Sequence, residues 1–331
     1  MKVLKFGGTS VGSAERIRHV AGLIRSRGRN IVVLSAMAGT TNTLVDIADY
    51  LSKGNVPGAQ ETLNNLNLKY LNVIDELFES ETSRLRAKAV ISERFSYIRA
   101  LIDGDYSAAD GREILAQGEL MSTAMMDIYL NENGVRSVLL PALEYMRTDA
   151  NGEPDMKYVA TRLRRMLDLN RDADVFLTQG YICLNAVGEV DNLKRGGSDY
   201  SASIIGAVVD ADEVEIWTDI DGMHNNDPRF VDNTSPVGEL NFEEAAELAY
   251  FGAKILHPNC VLPAKLANIP VRLLNTLDPK AAGTVIYHMP PDGRIKAVAA
   301  KDNITAIKIK SGRMLLAYGF LHKVFETFER Y

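Results

Sequence analysis

Cysteine is nearly absent: Cys183 and Cys260 are the two in 331 residues. They are too few and too far apart for a disulfide framework or a cysteine-ligated metal, so two buried thiols in a reducing compartment are expected. Excess positive charge is also missing. Lys and Arg number 37 against 43 Asp and Glu, a net charge of −6, which excludes the basic face of a nucleic-acid or anionic-membrane binder. No apolar run approaches the ~20 residues that cross a bilayer. Met1 leads straight into a strand pattern rather than a signal peptide, so a cytoplasmic protein with no membrane partner is expected. The chain shows no internal repeat, no low-complexity stretch and no Walker A pattern, and its five histidines form neither a triad nor a metal cluster; no protein-held metal site is expected.

What is present is core and alternation. With 46% hydrophobic and 24% charged residues, the chain can bury one large or two ordinary domains. Buried-strand patterns at Val3–Phe6, Ile31–Leu34, Ser137–Leu140, Val175–Thr178, Val214–Thr218 and Val271–Leu274 alternate with helical ones. One helix starts after Ser13, a good N-cap, and stops near Gly28; another is announced by Asn241 and Glu244, a capping-box spacing. Strands separated by helices predict an α/β fold, a mainly parallel sheet with helices on both faces. Residues 58–105 are rich in Leu and charge and poor in strand formers, and read as a helical excursion, a hairpin whose apolar positions are core. After the Pro290-Pro291-Asp292-Gly293 link, Ile304–Ile309 reads as a strand and Gly319–Tyr331 as a helix. One β-α unit buries too little surface to be a domain, so the chain is expected to stop inside a second one.

Two glycine runs carry the chemistry. Lys5-Phe6-Gly7-Gly8-Thr9-Ser10 follows the first strand, and Lys194-Arg195-Gly196-Gly197-Ser198-Asp199 precedes a helix. Each places a cation before paired glycines and hydroxyls after them. Glycines let backbone N–H groups approach an anion, and a helix N-terminus adds partial positive charge. In an open α/β sheet both loops fall at the carboxyl ends of the strands, where ligands bind, and they can hold a phosphate between them. A lysine at a strand end is ordinarily just solvated, but Gly-Gly-Thr-Ser after Lys5 favours a phosphoryl contact. Arg195 offers a planar fork for a carboxylate, against the commoner fate of a surface ion pair. Asp199 and Glu119 suit an ammonium group; Glu119 follows Gln117-Gly118 and reads as the start of a helix, where the dipole alone would explain it. Trp217-Thr218-Asp219-Ile220-Asp221-Gly222 leads to Asn226-Asp227-Pro228-Arg229, either a nucleotide loop or ordinary turn chemistry. Lys254 lies near a helix end, where a lysine is equally welcome as a C-terminal cation.

In order and wording these segments resemble aspartokinase. That family opens with Lys-Phe-Gly-Gly-Thr-Ser, as at 5–10, and continues with Leu-Ser-Ala-x-Ala-Gly-x-Thr-Asn, matched by Leu34–Asn42. Then come Gly-Glu-Leu-Met-Ser (118–122), Arg-Gly-Gly-Ser-Asp-Tyr (195–200), Trp-Thr-Asp (217–219) and Phe-Gly-Ala-Lys-x-Leu-His-Pro (251–258). Residues 304–331 resemble the start of an ACT regulatory region, most like the single-function lysine-sensitive enzymes.

The resemblance implies an amino-acid-kinase fold, a three-layer αβα sandwich with an incomplete C-terminal ACT β-α fragment. Residues 1–290 would be catalytic, about 1–200 for aspartate and about 201–290 for ATP, with 291–303 a linker and 304–331 the ACT start. It implies phosphorylation of the β-carboxylate of L-aspartate by ATP with Mg2+, for lysine, threonine and methionine synthesis. Lys5, Gly8 and Asp199 would be catalytic, with Gly7, Thr9 and Ser10 completing the phosphate loop. Ser35, Thr41, Glu119, Tyr181, Arg195 and Ser198 would contact aspartate, Arg195 at the α-carboxylate and Glu119 at the ammonium. Thr218, Asp219, His224, Asp227, Arg229 and Lys254 would line the nucleotide site. A homodimer is implied for the full-length protein. With only the beginning of an ACT region, the chain is not expected to be inhibited by lysine. Two departures stand out: His224 replaces the family's usual tyrosine, and Met37 stands where serine is frequent. Other readings are a kinase of the same fold acting on glutamate, acetylglutamate or carbamate, and a non-catalytic amino-acid sensor.

Overall fold

The structure, a computed structural model, describes residues 1–194, 196–251, 256–290, 293–300, 303–310 and 319–330. By compactness the chain divides into residues 1–299 and 300–331. In the first unit the elements run β1 (Lys2–Phe6), α1 (Ala14–Ser26), β2 (Asn30–Leu34), α2 (Thr40–Ser52), α3 (Val56–Leu77), α4 (Glu81–Ile102), α5 (Ala108–Glu132), β3 (Ser137–Leu140), α6 (Ala142–Tyr145), α7 (Met156–Leu169), β4 (Val175–Gln179), β5 (Ile182–Leu184), β6 (Val190–Asn192), α8 (Gly197–Val209), β7 (Val214–Thr218), β8 (Glu239–Asn241), α9 (Phe242–Phe251), α10 (Leu262–Leu266), β9 (Val271–Asn275) and β10 (Thr284–Tyr287).

Eight strands form one sheet in the order β3-β4-β2-β1-β7-β9-β10-β8. Every neighbouring pair is parallel except β9 with β10. β5 and β6 make a separate antiparallel hairpin. Successive side chains of a strand point to opposite faces, and the two faces feed two cores. Leu4, Phe6, Val32, Leu34 and Trp217 pack with α1–α5 on one side. Val3, Ile31, Val33, Val214 and Ile216 pack with residues of α6–α10 on the other. Coverage on both faces is why these strands read as continuous apolar runs rather than alternating ones. Each fully buried Val, Leu or Ile contributes about 1.5–3 kcal/mol.

The helical excursion over 58–105 is the expected hairpin, α3 and α4, and a third long helix, α5, follows directly on it. α5 begins with a reciprocal capping box: the Ser107 hydroxyl accepts from Asp110 N–H, and the Asp110 carboxylate accepts from Ser107 N–H at 2.7 Å. Glu119 therefore lies in the middle of a 25-residue helix and is buried. The expectation that it begins a helix is wrong, and the dipole account of it fails, since that field fades within the first turn. The helix after Ser13 and the Asn241/Glu244 capping box are as expected.

At the amino edge of the sheet a charge network closes the fold. Lys2 Nζ meets Glu213 at 2.8 Å and Glu215 at 2.7 Å, and Arg272 meets Glu213 at 2.8 Å. Glu215 is fully buried and also accepts from Trp217 Nε1 at 3.0 Å, with Arg27 3.6 Å away. Two cations and an indole N–H offset the cost of burying that carboxylate.

Residues 293–299, expected within a linker, belong to the first unit. Val298 N–H donates to Asn225 O at 2.9 Å, and Lys296 pairs with Glu244 at 2.9 Å. In the second unit α11 (Phe320–Glu329) matches the expected helix. The expected strand 304–309 is not one: residues 304–310 have no ladder partner among the described residues and are exposed. Apolar alternation alone does not make a strand without a neighbour to hydrogen-bond.

Candidate active site

The first glycine run and four other loops leave the carboxyl edge of the sheet, at its centre. The second glycine run, expected there too, instead follows β6 of the separate hairpin. The parallel ladder continues one step beyond the strand ends. Gly7 N–H donates to Trp217 O, Ser35 N–H to Phe6 O, Gly180 N–H to Leu34 O and Thr276 N–H to Thr218 O. Five segments are thereby held side by side: 7–12 after β1, 35–39 after β2, 180–181 after β4, 218–222 after β7 and 276 after β9.

An ion pair joins the two glycine runs. Lys5 Nζ lies 2.7 Å from Asp199 Oδ1, with the side chains 12% and 13% exposed. Lys5 comes from the carboxyl end of β1 and Asp199 from the first turn of α8, so the pair spans the gap between the two glycine runs. A Cβ on Gly7 would sit 3.6 Å from Lys5 Nζ, and one on Gly8 would sit 2.6 Å from the carbonyl oxygen of Ala36. Gly8 is thus required by the close approach of the 35–39 loop, not by its backbone angles. Thr9 is exposed; Ser10 is buried and its hydroxyl bonds Thr276 Oγ1 at 2.8 Å.

The second cluster surrounds Glu119. Ser35 Oγ donates to Ser198 Oγ at 2.9 Å, and Ser122 Oγ to Ser35 O at 2.8 Å. Glu119 Oε1 accepts from Ala36 N–H at 3.1 Å, while Glu119 Oε2 is buried with no hydrogen-bond partner. Burial pushes the Glu119 carboxyl up to about 7, with the Ala36 N–H pulling the other way. A carboxylate left half-satisfied in a site of hydroxyls is poised for a cation or donor from a ligand. Gly118, beside it, is pressed against the 35–41 segment: a Cβ there would be 2.8 Å from Ala36 Cβ.

Tyr181 is held at φ +68, an unusual conformation for a bulky side chain. Its N–H donates to Ser201 Oγ at 3.0 Å, and a Cβ on Gly197 would be 2.7 Å from its ring. Burial raises its phenol to about 12, so it stays neutral. Thr41 is half-buried in the first turn of α2, whose N-cap Gly39 has φ +79 and no side-chain cap.

The residues expected at the nucleotide follow β7 in the chain. Thr218 accepts from Ile220 N–H at 3.1 Å through its hydroxyl, and Asp219 is exposed. Asp227 and Arg229 pair with each other at 2.5 Å. His224 sits between Asp221 Oδ1 (2.7 Å) and Thr234 Oγ1 (2.9 Å), knitting the loop between β7 and β8. Arg195 and Lys254 lie outside the described residues. Thr276 was missed from the sequence; it links Ser10, His19 and Thr218, and a lone threonine after a strand carries no signature. The Ala36 N–H on Glu119 has none either.

Among the described residues no group of three His, Cys, Asp or Glu could hold a metal ion, and no helix is long and apolar enough to cross a membrane. Cys183 and Cys260 are buried and unbridged, with burial raising each thiol to about 12.

The model of the Amino acid kinase family matches residues 1–275. Over 99% of this chain, 36% of residues are identical to Aspartokinase 1, chloroplastic, of Arabidopsis thaliana, of which the match takes in 59%. Over 99% of this chain, 35% are identical to Lysine-sensitive aspartokinase 3 of Escherichia coli (strain K12), of which it takes in 74%. The chain thus spans less than two thirds of the length of the plant relative. Among solved structures, E. coli aspartokinase III in complex with aspartate and ADP superposes with a TM-score of 0.78 at 33% identity, over 88% of this chain and 65% of that one. Clostridium acetobutylicum aspartate kinase superposes with a TM-score of 0.81 at 25% identity, over 100% of this chain and 74% of that one. In sequence and in fold alike, the chain belongs to the amino acid kinase family and, within it, to the aspartokinases.

Proposed function

We propose that this chain transfers the γ-phosphoryl group of ATP to the β-carboxylate of L-aspartate, giving 4-phospho-L-aspartate and ADP. The observation that carries the reading is the Lys5–Asp199 pair bridging the two glycine runs, beside a buried, half-satisfied Glu119. That the E. coli relative was solved with aspartate and ADP supports it.

In the reaction one carboxylate oxygen bonds to phosphorus while the bond from phosphorus to the β-phosphate oxygen breaks. Little covalent help is needed, so positioning and charge stabilisation do most of the work. Lys5 neutralises charge that develops on the transferred group. The nucleophile is a carboxylate with a reference pKa of about 4; it has no proton to lose, so Asp199 orients the Lys5 ammonium rather than acting as a base. Glu119 takes the substrate ammonium on its open oxygen, Ser35, Thr41, Tyr181 and Ser198 surround the substrate, and Arg195 takes the α-carboxylate. Thr218, Asp219, His224, Asp227, Arg229 and Lys254 serve the nucleotide, His224 by holding its loop rather than by touching it. Magnesium keeps several waters and takes few protein ligands beyond phosphate oxygens. It fits here as an ion carried on the nucleotide near Asp219, where it would neutralise phosphate charge. By the same reading residues 1–200 hold aspartate, 201–290 hold ATP, and 304–331 begin an ACT region of a cytoplasmic, dimeric enzyme of lysine synthesis.

The test is ADP release from Mg-ATP with hydroxylamine to trap the acyl phosphate and glutamate as control. Hydroxamate with aspartate alone is expected; ADP release indifferent to aspartate, or no turnover, would sink the reading. Gly8→Ala gives a local check. Its methyl cannot coexist with the Ala36 carbonyl 2.6 Å away, so loop 7–12 and loop 35–39 must part. A misplacement of that size is expected to lower kcat about 100-fold with thermal unfolding nearly unchanged. Activity within threefold of wild type would show that the close approach does not matter.

A further inference from the structure

Two helices that phosphoryl transfer does not require nevertheless reach the site. On α3, Lys69 Nζ donates to the carbonyl of Ala38 at 2.5 Å, and the hydroxyl of Tyr70 lies 3.1 Å from Thr40 Oγ1. Tyr70 is fully buried, and its ring meets Phe95 of α4 edge-on at 5.8 Å. Lys69 is half-buried, and no carboxylate among the described residues pairs with it. A lysine free to reach solvent is instead spent on one backbone carbonyl.

That carbonyl belongs to the loop that matters. Segment 35–41 begins at Ser35, which bonds Ser198, includes the Ala36 N–H that holds Glu119, and ends at Thr41. Ala38 also backs the phosphate loop: a Cβ on Gly12 would be 2.9 Å from Ala38 Cβ, and one on Gly8 would be 3.6 Å from Ala38 N. The next residue, Gly39, has φ +79, and α2 has no side-chain cap there. A peptide beside a glycine turns at little steric cost, so the 38–39 peptide is the weak point of the segment. Lys69 holds it on one side with a charge-assisted bond and Tyr70 holds Thr40 on the other.

We infer that Lys69 and Tyr70 are positioning residues for the amino-acid substrate, and that the α3–α4 hairpin thereby sets the affinity for aspartate more than that for ATP. This rests on the aspartate-kinase reading above. It makes the insertion part of the substrate site through the backbone, and changes along α3 a means of adjusting substrate affinity without touching a residue that contacts it.

The test compares wild type with Lys69→Met, Lys69→Arg and Tyr70→Phe, by hydrogen exchange of peptides covering 36–42 and by steady-state kinetics in both substrates. Lys69→Met is expected to speed exchange in 36–42 and to raise KM for aspartate about tenfold, with KM for ATP within about twofold. Arginine at 69 should restore both, and Tyr70→Phe should move the same two readouts in the same direction. Unchanged exchange in Lys69→Met overturns the inference, as does an unchanged aspartate KM. So does a parallel fall in kcat, ATP affinity and melting temperature that arginine does not rescue. A wild type without aspartate-dependent turnover instead overturns the kinase reading and, with it, the claim on affinity; the exchange comparison then still decides whether Lys69 holds the loop.

Discussion

Lys5→Met is expected to lower kcat about 1,000-fold, the loss typical when one preorganised stabiliser of developing charge is removed, while aspartate and ATP still bind. The reason lies in what the substitution leaves behind. Lys5 and Asp199 are each only about one-eighth exposed and 2.7 Å apart. Methionine removes the ammonium and leaves Asp199 facing the transferred phosphoryl as a bare negative charge, which repels the group that Lys5 would have stabilised. The pair should therefore behave as a unit. Asp199→Asn alone is expected to cost about 100-fold, with the acidic limb of the pH–rate profile unmoved, because no proton passes through it. The double variant Lys5→Met/Asp199→Asn should be no slower than Lys5→Met, since the stranded charge has gone too. Additive losses in that cycle would mean the two act separately, and a lost acidic limb in Asp199→Asn would restore it as a base.

The second large effect belongs to Glu119. Burial holds its carboxyl near 7, and the Ala36 N–H only partly offsets that. A substrate ammonium needs the ionised form. Below pH 7 the free site is mostly protonated, so kcat/KM for aspartate at saturating ATP is expected to fall about tenfold per pH unit below that point and to level off above it. Aspartate binding near neutrality should release a proton. Glu119→Gln should remove this limb and raise KM for aspartate about 100-fold, the loss of a charge-assisted hydrogen bond from a buried site. Stability should move the other way. The folded carboxyl sits above its unfolded value of 4.5, so the unfolded chain gives up its proton first as pH rises. Native stability is thus lost between pH 4.5 and 7, by about 3 kcal/mol, and stays lost above 7. Glu119→Gln, which cannot ionise, should melt higher than wild type at pH 8 and alike at pH 4. A flat kcat/KM profile from pH 6 to 8 would refute the assignment.

How much of this could be read from the chain depends on the kind of signal each residue sends. Ser137–Leu140 and Val214–Thr218 are strands at the expected residues because apolar runs covered on both faces have sharp ends. The three-residue strands β5, β6 and β8 went unread, since so short a segment carries no periodicity and exists only through its partner. Gln117-Gly118 gives a false start beside Glu119, which lies in the interior of its helix. The true start, Ser107 with Asp110 three residues on, is a capping-box spacing that was there to be found. The glycine runs were legible because close backbone approach leaves a residue-type mark. The roles of Ala36 and Ala38 were not, because a backbone N–H or carbonyl does its work whatever side chain it bears, and the hydroxyl of Thr276 is one of many after a strand. Lys69 carries no such mark, and only tertiary structure shows the carbonyl it reaches.

The central place of β1 also governs how this protein is made. β1 lies between β2 and β7, and Lys2 closes onto Glu213 across 211 residues of chain. At a synthesis rate of about 5–20 residues per second, one flank of the innermost strand stays open for roughly 10–40 s on the ribosome. During that time Leu4 and Phe6 present an unpaired apolar edge of the kind chaperones bind and aggregates recruit. Nascent chains halted with residue 205 clear of the ribosome should therefore be digested by protease through β1 and β2, and those halted with residue 235 clear should resist. Lys5 precedes β7 in the chain, and it acquires its setting only when β7 and its flanking loops have followed it out.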